Sequence, residues 1–149
     1  MKKENENSSE MNVQSEFSIQ RQQANSSENQ INNPILIVED DDVSFLFLAT
    51  ILKKANYNFI RTTKGEDAIE ILKKDHNFFL VLMDIKMPGL NGIATVEIIR
   101  EFNTQIPIIA QTAYALSGDK ETLLKSGFNE YISKPIKKDK LFEIIKKYS

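Results

Sequence analysis

The chain has no cysteine, and its 149 residues include a single histidine. Without cysteine there is no disulfide scaffold, no thiolate-bound zinc, no iron–sulfur cluster and no thiol nucleophile. With His76 alone, a multi-histidine metal site is impossible, and a Ser-His-Asp triad would have to rest on that residue. No apolar run approaches the ~18 residues of a membrane span. The net charge is only −2, with a pI near 5.5, so no basic field invites nucleic acid. The opening MKKENENSSEMN carries no apolar h-region, so no signal peptide is expected and the expected address is cytoplasmic.

What remains is an ordinary globular composition, 41% hydrophobic and 27% charged, of about one domain's length. It is unevenly distributed. Ser, Asn, Gln and Glu fill 23 of the first 33 residues. Such a segment buries too little apolar surface to offset its ordering entropy, so residues 1–33 are expected to be a disordered polar tail or linker. A short helix over Glu10–Gln23 is the competing expectation.

From Pro34 the pattern changes. Ile35–Val38 is a β-branched apolar run expected to form a strand buried on both faces. Helical spacing follows over Val43–Ala55, then a loosely alternating edge strand over Asn56–Thr63 and a helix over Gly65–Lys74. Phe78–Met83 and Ile106–Gln111 are further apolar strands, separated by a Met87-Pro88-Gly89 turn and a helix over Gly92–Phe102. A helix over Leu116–Ser126 stops at Gly127, Asn129–Ser133 is the last strand, and Lys137–Tyr148 is the closing helix. Alternating strands and helices imply right-handed βαβ units, and five strands are too few for a (β/α)₈ barrel. The expected fold is α/β and flavodoxin-like: a doubly wound, five-stranded parallel sheet of order 2-1-3-4-5, occupying residues 34–149.

In such a sheet ligands bind beyond the carboxyl ends of the strands. Strand 1 runs into Glu39-Asp40-Asp41-Asp42, strand 3 into Asp84, strand 4 into Thr112 and strand 5 into Lys134-Pro135. Carboxylates from neighbouring strands repel unless a cation joins them, and oxygen-only ligands favour Mg²⁺, Mn²⁺ or Ca²⁺ over zinc. Thr112 and Lys134 then serve as a hydroxyl and a cation for a phosphate. Spacing thus points to a magnesium–phosphoryl site and leaves open whether the phosphoryl group is a ligand or a covalent adduct.

Four segments make the pattern specific: ILIVEDD (35–41), LVLMDIKMPGLNG (80–92), PIIAQTA (107–113) and YISKPI (131–136). In this order, at the ends of strands 1, 3, 4 and 5, they resemble the response-regulator receiver domains of two-component phosphorelays. The resemblance implies that Asp84 accepts a phosphoryl group from a phosphohistidine. It implies that Asp40, the Asp84 carboxylate and the main-chain carbonyl of Lys86 ligate Mg²⁺ (or Mn²⁺), with Glu39 acting largely through water. Thr112 and Lys134 would contact phosphoryl oxygens, Pro135 would follow a cis bond, and Tyr131 would occupy the aromatic switch position. Phosphorylation would alter the surface of helix 4, strand 5 and helix 5. The implied partners are a sensor histidine kinase or a histidine phosphotransfer protein, and an unknown downstream protein. The domain would be a monomer or a phosphorylation-dependent dimer, with no nucleic acid and no membrane involved. It would be a regulatory phosphoacceptor rather than an enzyme, assisting only its own phosphorylation and slow dephosphorylation. Lys86 and Tyr114 stand at the positions that tune dephosphorylation in that family.

Plainer readings compete. Asp41 and Asp42 at a helix start read as capping and dipole-complementing charges, and His76 as a surface residue. Gln111, polar in an apolar strand, has no account from sequence. A haloacid-dehalogenase-type phosphatase also uses a strand-end Asp and Mg²⁺, but wants a second Asp where Lys86 stands, and an extra cap. A flavodoxin-like nucleotide binder needs a Ser/Thr/Gly-rich loop where this chain has four acids. A pseudo-receiver would need a lost Asp, Thr or Lys. No output domain fits after the last helix, so the chain is expected to be a free-standing receiver, an expectation that leans on Met1. The alternative is the C-terminal receiver of a hybrid kinase, whose wording DIKMP and AQTAYA resemble.

Overall fold

The computed structural model describes residues 33–113 and 117–149. The expectations for residues 1–32, for Tyr114 and for Leu116 as a helix start lie outside the described residues. The elements are β1 (Ile35–Val38), α1 (Asp42–Lys54), β2 (Phe59–Thr62), α2 (Gly65–Lys74), β3 (Leu80–Asp84), α3 (Gly92–Phe102), β4 (Ile108–Thr112), α4 (Ser117–Ser126), β5 (Glu130–Ser133) and α5 (Lys138–Lys147). All strand pairings are parallel, in the order β2-β1-β3-β4-β5, as the sequence implied.

The three central strands are buried at every residue, whereas the edge strands β2 and β5 are only partly covered. Helices on both faces leave a central strand no solvated side, which is why its sequence is a continuous apolar run. One face carries Leu36, Val38, Val81, Met83, Ile108 and Ala110 against α2, α3 and α4 through Leu72, Val96, Ile99 and Leu123. The other carries Ile35, Ile37, Leu80, Leu82, Ile109 and Ile132 against Leu48 and Leu52 of α1 and Leu141, Ile144 and Ile145 of α5.

Boundaries differ from the sequence expectation in four strands, in β5 only by its start at Glu130 rather than Asn129. Asn56 and Tyr57 form the turn that follows α1 rather than the start of β2. Asn56 adopts a left-handed φ of 63°, and the Asn56 and Tyr57 amides donate to the Lys53 and Leu52 carbonyls. Asn is one of the residues that tolerate that helix-ending conformation. β4 starts at Ile108 rather than Ile106, since Pro107 brings no N–H to the ladder. β3 spans Leu80–Asp84, not Phe78–Met83, so Asp84 is itself the last residue of the strand.

Candidate functional site

Side chains alternate across a strand, so residues two apart share a face. Glu39, Asp84, Gln111 and Lys134 each stand two residues beyond a member of the apolar cluster under α1 and α5, namely Ile37, Leu82, Ile109 and Ile132. The sheet therefore presents all four on one face, at the carboxyl end of four adjacent strands. In register, Gln111 pairs with Asp84 on one side and with Ile132 on the other.

Lys134 joins the acids. Its Nζ donates to Glu39 Oε2 at 3.2 Å and lies 3.2 Å from Asp84 Oδ1. The Lys134–Pro135 peptide bond is cis, and the Lys134 amide donates to the Thr112 carbonyl at 2.8 Å. Glu39 is fully buried and Asp84 nearly so, at 5% exposure, while Asp40 is exposed. Carboxylate oxygens of Glu39, Asp40 and Asp84 all lie within 4.8 Å of one another. Burial, and then the Asp84 charge, push the Glu39 carboxyl up to about 7 against the pull of Lys134. Burial disfavours the Lys134 ammonium, yet Asp84 and Glu39 outweigh it and hold its pKa above the ordinary lysine value.

A cleft of about 310 Å³ opens over this group, and Glu39, Asp40, Asp84, Lys86, Thr112 and Lys134 all line it. Tyr131 lies elsewhere: it packs against the cluster on the opposite sheet face, with Lys120 Nζ 6.0 Å from its ring centre. His76 is exposed and lines a different hollow, with Phe102, Asn103 and Gln105.

Local sequence fixes the walls. Asp41 caps α1, its carboxylate accepting from the Ser44 amide at 2.8 Å, a contact that lowers its pKa. Asp40, exposed like Asp41, stands between that cap and the buried Glu39. Across the cleft, Asn91 caps α3 by accepting from the Ala94 amide at 2.9 Å. Gly92 donates its amide to the Ile85 carbonyl at 2.9 Å, and a Cβ there would collide with the Asp84 carbonyl oxygen. Glycine is what lets the 85–91 loop close against the strand that carries Asp84.

Sequence reasoning missed two contributors. Arg61 on β2 donates to the Glu39 carbonyl at 3.1 Å, lies 2.9 Å from the Asp42 carboxylate and sits 4.4 Å over the Phe45 ring. It ties the acidic loop to the edge strand; a lone basic residue in an edge strand gives no signal of this. Gly92 was visible only as a helix start.

An open parallel sheet whose carboxyl rim gathers three acids and a lysine in one cleft defines a class, the α/β domains with an acidic strand-end site. The comparisons make it particular. The profile of the response regulator receiver domain matches residues 35–146, and the chain belongs to that family. It is 34% identical over 116 residues to the polar-differentiation response regulator DivK of Brucella ovis, covering 76% of this chain and 94% of DivK. It is 40% identical over 119 residues to hybrid signal transduction histidine kinase M of Dictyostelium discoideum, covering 76% of this chain but only 5% of that kinase. Among solved structures, the receiver domain of a Pseudomonas aeruginosa sensor histidine kinase, crystallised with a magnesium ion in its active-site cleft, superposes with a TM-score of 0.72. It is 32% identical, over 78% of this chain and 96% of that one. The receiver domain of yeast Ssk1, solved in complex with the histidine phosphotransfer protein Ypd1, gives 0.73 at 30% identity, over 78% and 88% of the two chains. Among the described residues, no helix is long and apolar enough to cross a membrane.

Proposed function

We propose that residues 34–149 are a phosphorelay receiver in which Asp84 takes a phosphoryl group from a phosphohistidine, with residues 1–33 a polar tail or linker. The observation that carries this reading is the Asp84 carboxylate, nearly buried at the floor of an open cleft, with Lys134 Nζ 3.2 Å away. An Asp84 oxygen bonds to phosphorus while the P–N bond breaks, and the imidazole keeps the electron pair and takes a proton from solvent. Lys134 and Thr112 contact the phosphoryl oxygens. The protein's contribution is placement and charge neutralisation, as in other phosphoryl transfers.

Three carboxylates within 4.8 Å, with no His or Cys among them, fit a hard cation. Asp40, Asp84 and the Lys86 carbonyl would hold Mg²⁺, or Mn²⁺ in its place, with Glu39 acting through water. Bound there, the ion supplies positive charge to the transferring phosphoryl oxygens. The magnesium in the Pseudomonas receiver supports this assignment.

For the donor we assign a sensor histidine kinase or a histidine phosphotransfer protein. Ssk1 bound to Ypd1 supports it. So does α1, which begins beside Asp40 and leaves Val43, Leu46 and Phe47 exposed at 77%, 65% and 47%. Exposed apolar side chains on the helix that starts at the cleft are surface for a partner. Thr112 and Tyr131 would relay occupancy to the α4-β5-α5 surface, read by a downstream protein or a second copy. The domain acts as a regulatory phosphoacceptor at a cytoplasmic address, and the same chemistry serves a free-standing receiver or the receiver of a hybrid kinase.

The test is incubation with a small acyl phosphate and Mg²⁺, followed by intact mass. One added phosphoryl group is expected, absent in Asp84→Ala and absent with chelator. Phosphorylation that persists in Asp84→Ala, or none in the parent chain under any donor, ends the reading.

A further inference from the structure

Gln111 is fully buried, and neither its Oε1 nor its Nε2 has a hydrogen-bond partner in the protein. It occupies a strand position whose predecessor on the same face, Ile109, belongs to the apolar core. Its register neighbours are Asp84 and Ile132, and it lines the cleft with Glu39, Asp84 and Lys134. A leucine or methionine would satisfy the packing there. The carboxamide instead carries a desolvation penalty that no group of the protein offsets. A buried polar group without a partner calls for an explanation, and a second state of the molecule that satisfies it is one.

Three features indicate which state that is. The two carboxylates already share the Lys134 ammonium, so the charged groups beside Gln111 are paired with one another. A phosphoryl group on Asp84 would move negative charge outward and draw Lys134 after it. The side-chain oxygen of Asp84 that carries no phosphorus and the Glu39 carboxylate would then lose a donor. The amide of Gln111, one strand over and level with Asp84, offers N–H groups for one and a carbonyl acceptor for an ammonium or a bound water.

We propose that Gln111 is a positioning residue whose buried carboxamide, without a hydrogen-bond partner among the protein groups around it, gains its hydrogen bonds when Asp84 carries a phosphoryl group, biasing the domain toward the phosphorylated state. The inference rests on the Asp84 reading above and adds to it a residue that touches neither metal nor donor. Its burial cost then falls on the unphosphorylated state alone, so removing the amide should affect the two states in opposite directions.

The experiment compares the parent chain with Gln111→Met, which keeps length and shape without hydrogen bonding, and with Gln111→Leu as a second apolar variant. Melting temperature is read in chelator and again with Mg²⁺ plus beryllofluoride, an analogue of the aspartyl phosphate. In chelator both variants should melt about 4 °C or more above the parent. The rise in melting temperature on adding Mg²⁺ and beryllofluoride should shrink, with the concentration for half-occupancy up about tenfold. An equal displacement of both states, or an unchanged response to beryllofluoride, overturns the proposal, since a merely structural Gln111 would act alike in both. A parent chain that never responds to Mg²⁺ and beryllofluoride would instead count against the Asp84 reading, which separates the two failures.

Discussion

Ile37, Leu82 and Ile109 lie level and, with Ile132, which pairs with Gln111, make up the apolar layer of the sheet face under α1 and α5; Glu39, Asp84, Gln111 and Lys134 stand two residues further along the same strands. The first layer is 0–2% exposed. The second is hardly more open: Glu39 and Gln111 are fully buried, Asp84 is 5% exposed, and the Lys134 side chain is 25% exposed. What changes between the layers is chemistry, not exposure. The apolar layer is stabilised by its burial. The polar layer is tolerated because its charges neutralise one another, and it is there that a ligand or an added group changes the balance. A single step of two residues along four strands separates core from site.

The firmest way to break that contrast is to put polarity into the apolar layer. Leu82→Asn leaves an unpaired amide and a partly filled cavity in a fully buried position. It should cost about 4 kcal/mol in denaturant unfolding. A loss under 1 kcal/mol would mean that the two layers tolerate polarity alike. The converse change removes charge from the polar layer. Lys134→Met strips the shared cation from Glu39 and Asp84. A fully buried pair broken in this way loses more, but a quarter-exposed lysine is partly screened, so a loss of about 2 kcal/mol at pH 8 without metal is expected. Added Mg²⁺ should restore more stability to the variant than to the parent, because a second cation takes over the neutralising role. Equal responses would argue that the carboxylates do not depend on a cation.

Titration sharpens the same point. The folded Glu39 carboxyl sits at about 7, against an ordinary value of 4.5. Between these values the folded state holds a proton that the unfolded state has released, so stability falls as pH rises from about 4.5 to 7 and levels above that. In chelator the contribution should be on the order of 2 kcal/mol across the window, measured as unfolding free energy at pH 5 and pH 7.5. Glu39→Gln should flatten the profile. A parent profile that climbs with pH relative to Glu39→Gln would show that Lys134, not burial, governs Glu39.

The layer structure also explains what could be read from sequence. The continuous apolar runs at 35–38 and 80–83 are visible because both faces of a central strand are covered, and the residues ending those runs were therefore visible too. Parity was not. Nothing in Thr112 and Gln111 as letters says that the hydroxyl follows Ala110 on one face while the amide follows Ile109 onto the other. Register between strands decides that Gln111 lies level with Asp84, and register is a property of the assembled sheet. The edge of β2 was misplaced for a similar reason: the left-handed turn at Asn56 ends α1 by a backbone conformation that the loosely alternating Tyr57 and Phe59 concealed.

The smallest effect concerns the rim just outside both layers. Lys86 lines the cleft two residues after Asp84 and is exposed. Its ammonium can only donate hydrogen bonds, whereas a water attacking an aspartyl phosphate is oriented by a group that accepts from it. Asn at this position brings a carboxamide oxygen near the line of attack. Lys86→Asn should therefore leave folding stability within about 0.5 kcal/mol and leave phosphorylation by a small acyl phosphate intact. It should shorten the acyl-phosphate lifetime roughly threefold, a barrier change well under the 1.4 kcal/mol of a tenfold effect. Decay of the phosphorylated mass after removal of the donor gives the rate directly. An unchanged lifetime would show that water reaches Asp84 by a path that Lys86 does not border, and would confine control of dephosphorylation to the buried layer behind it.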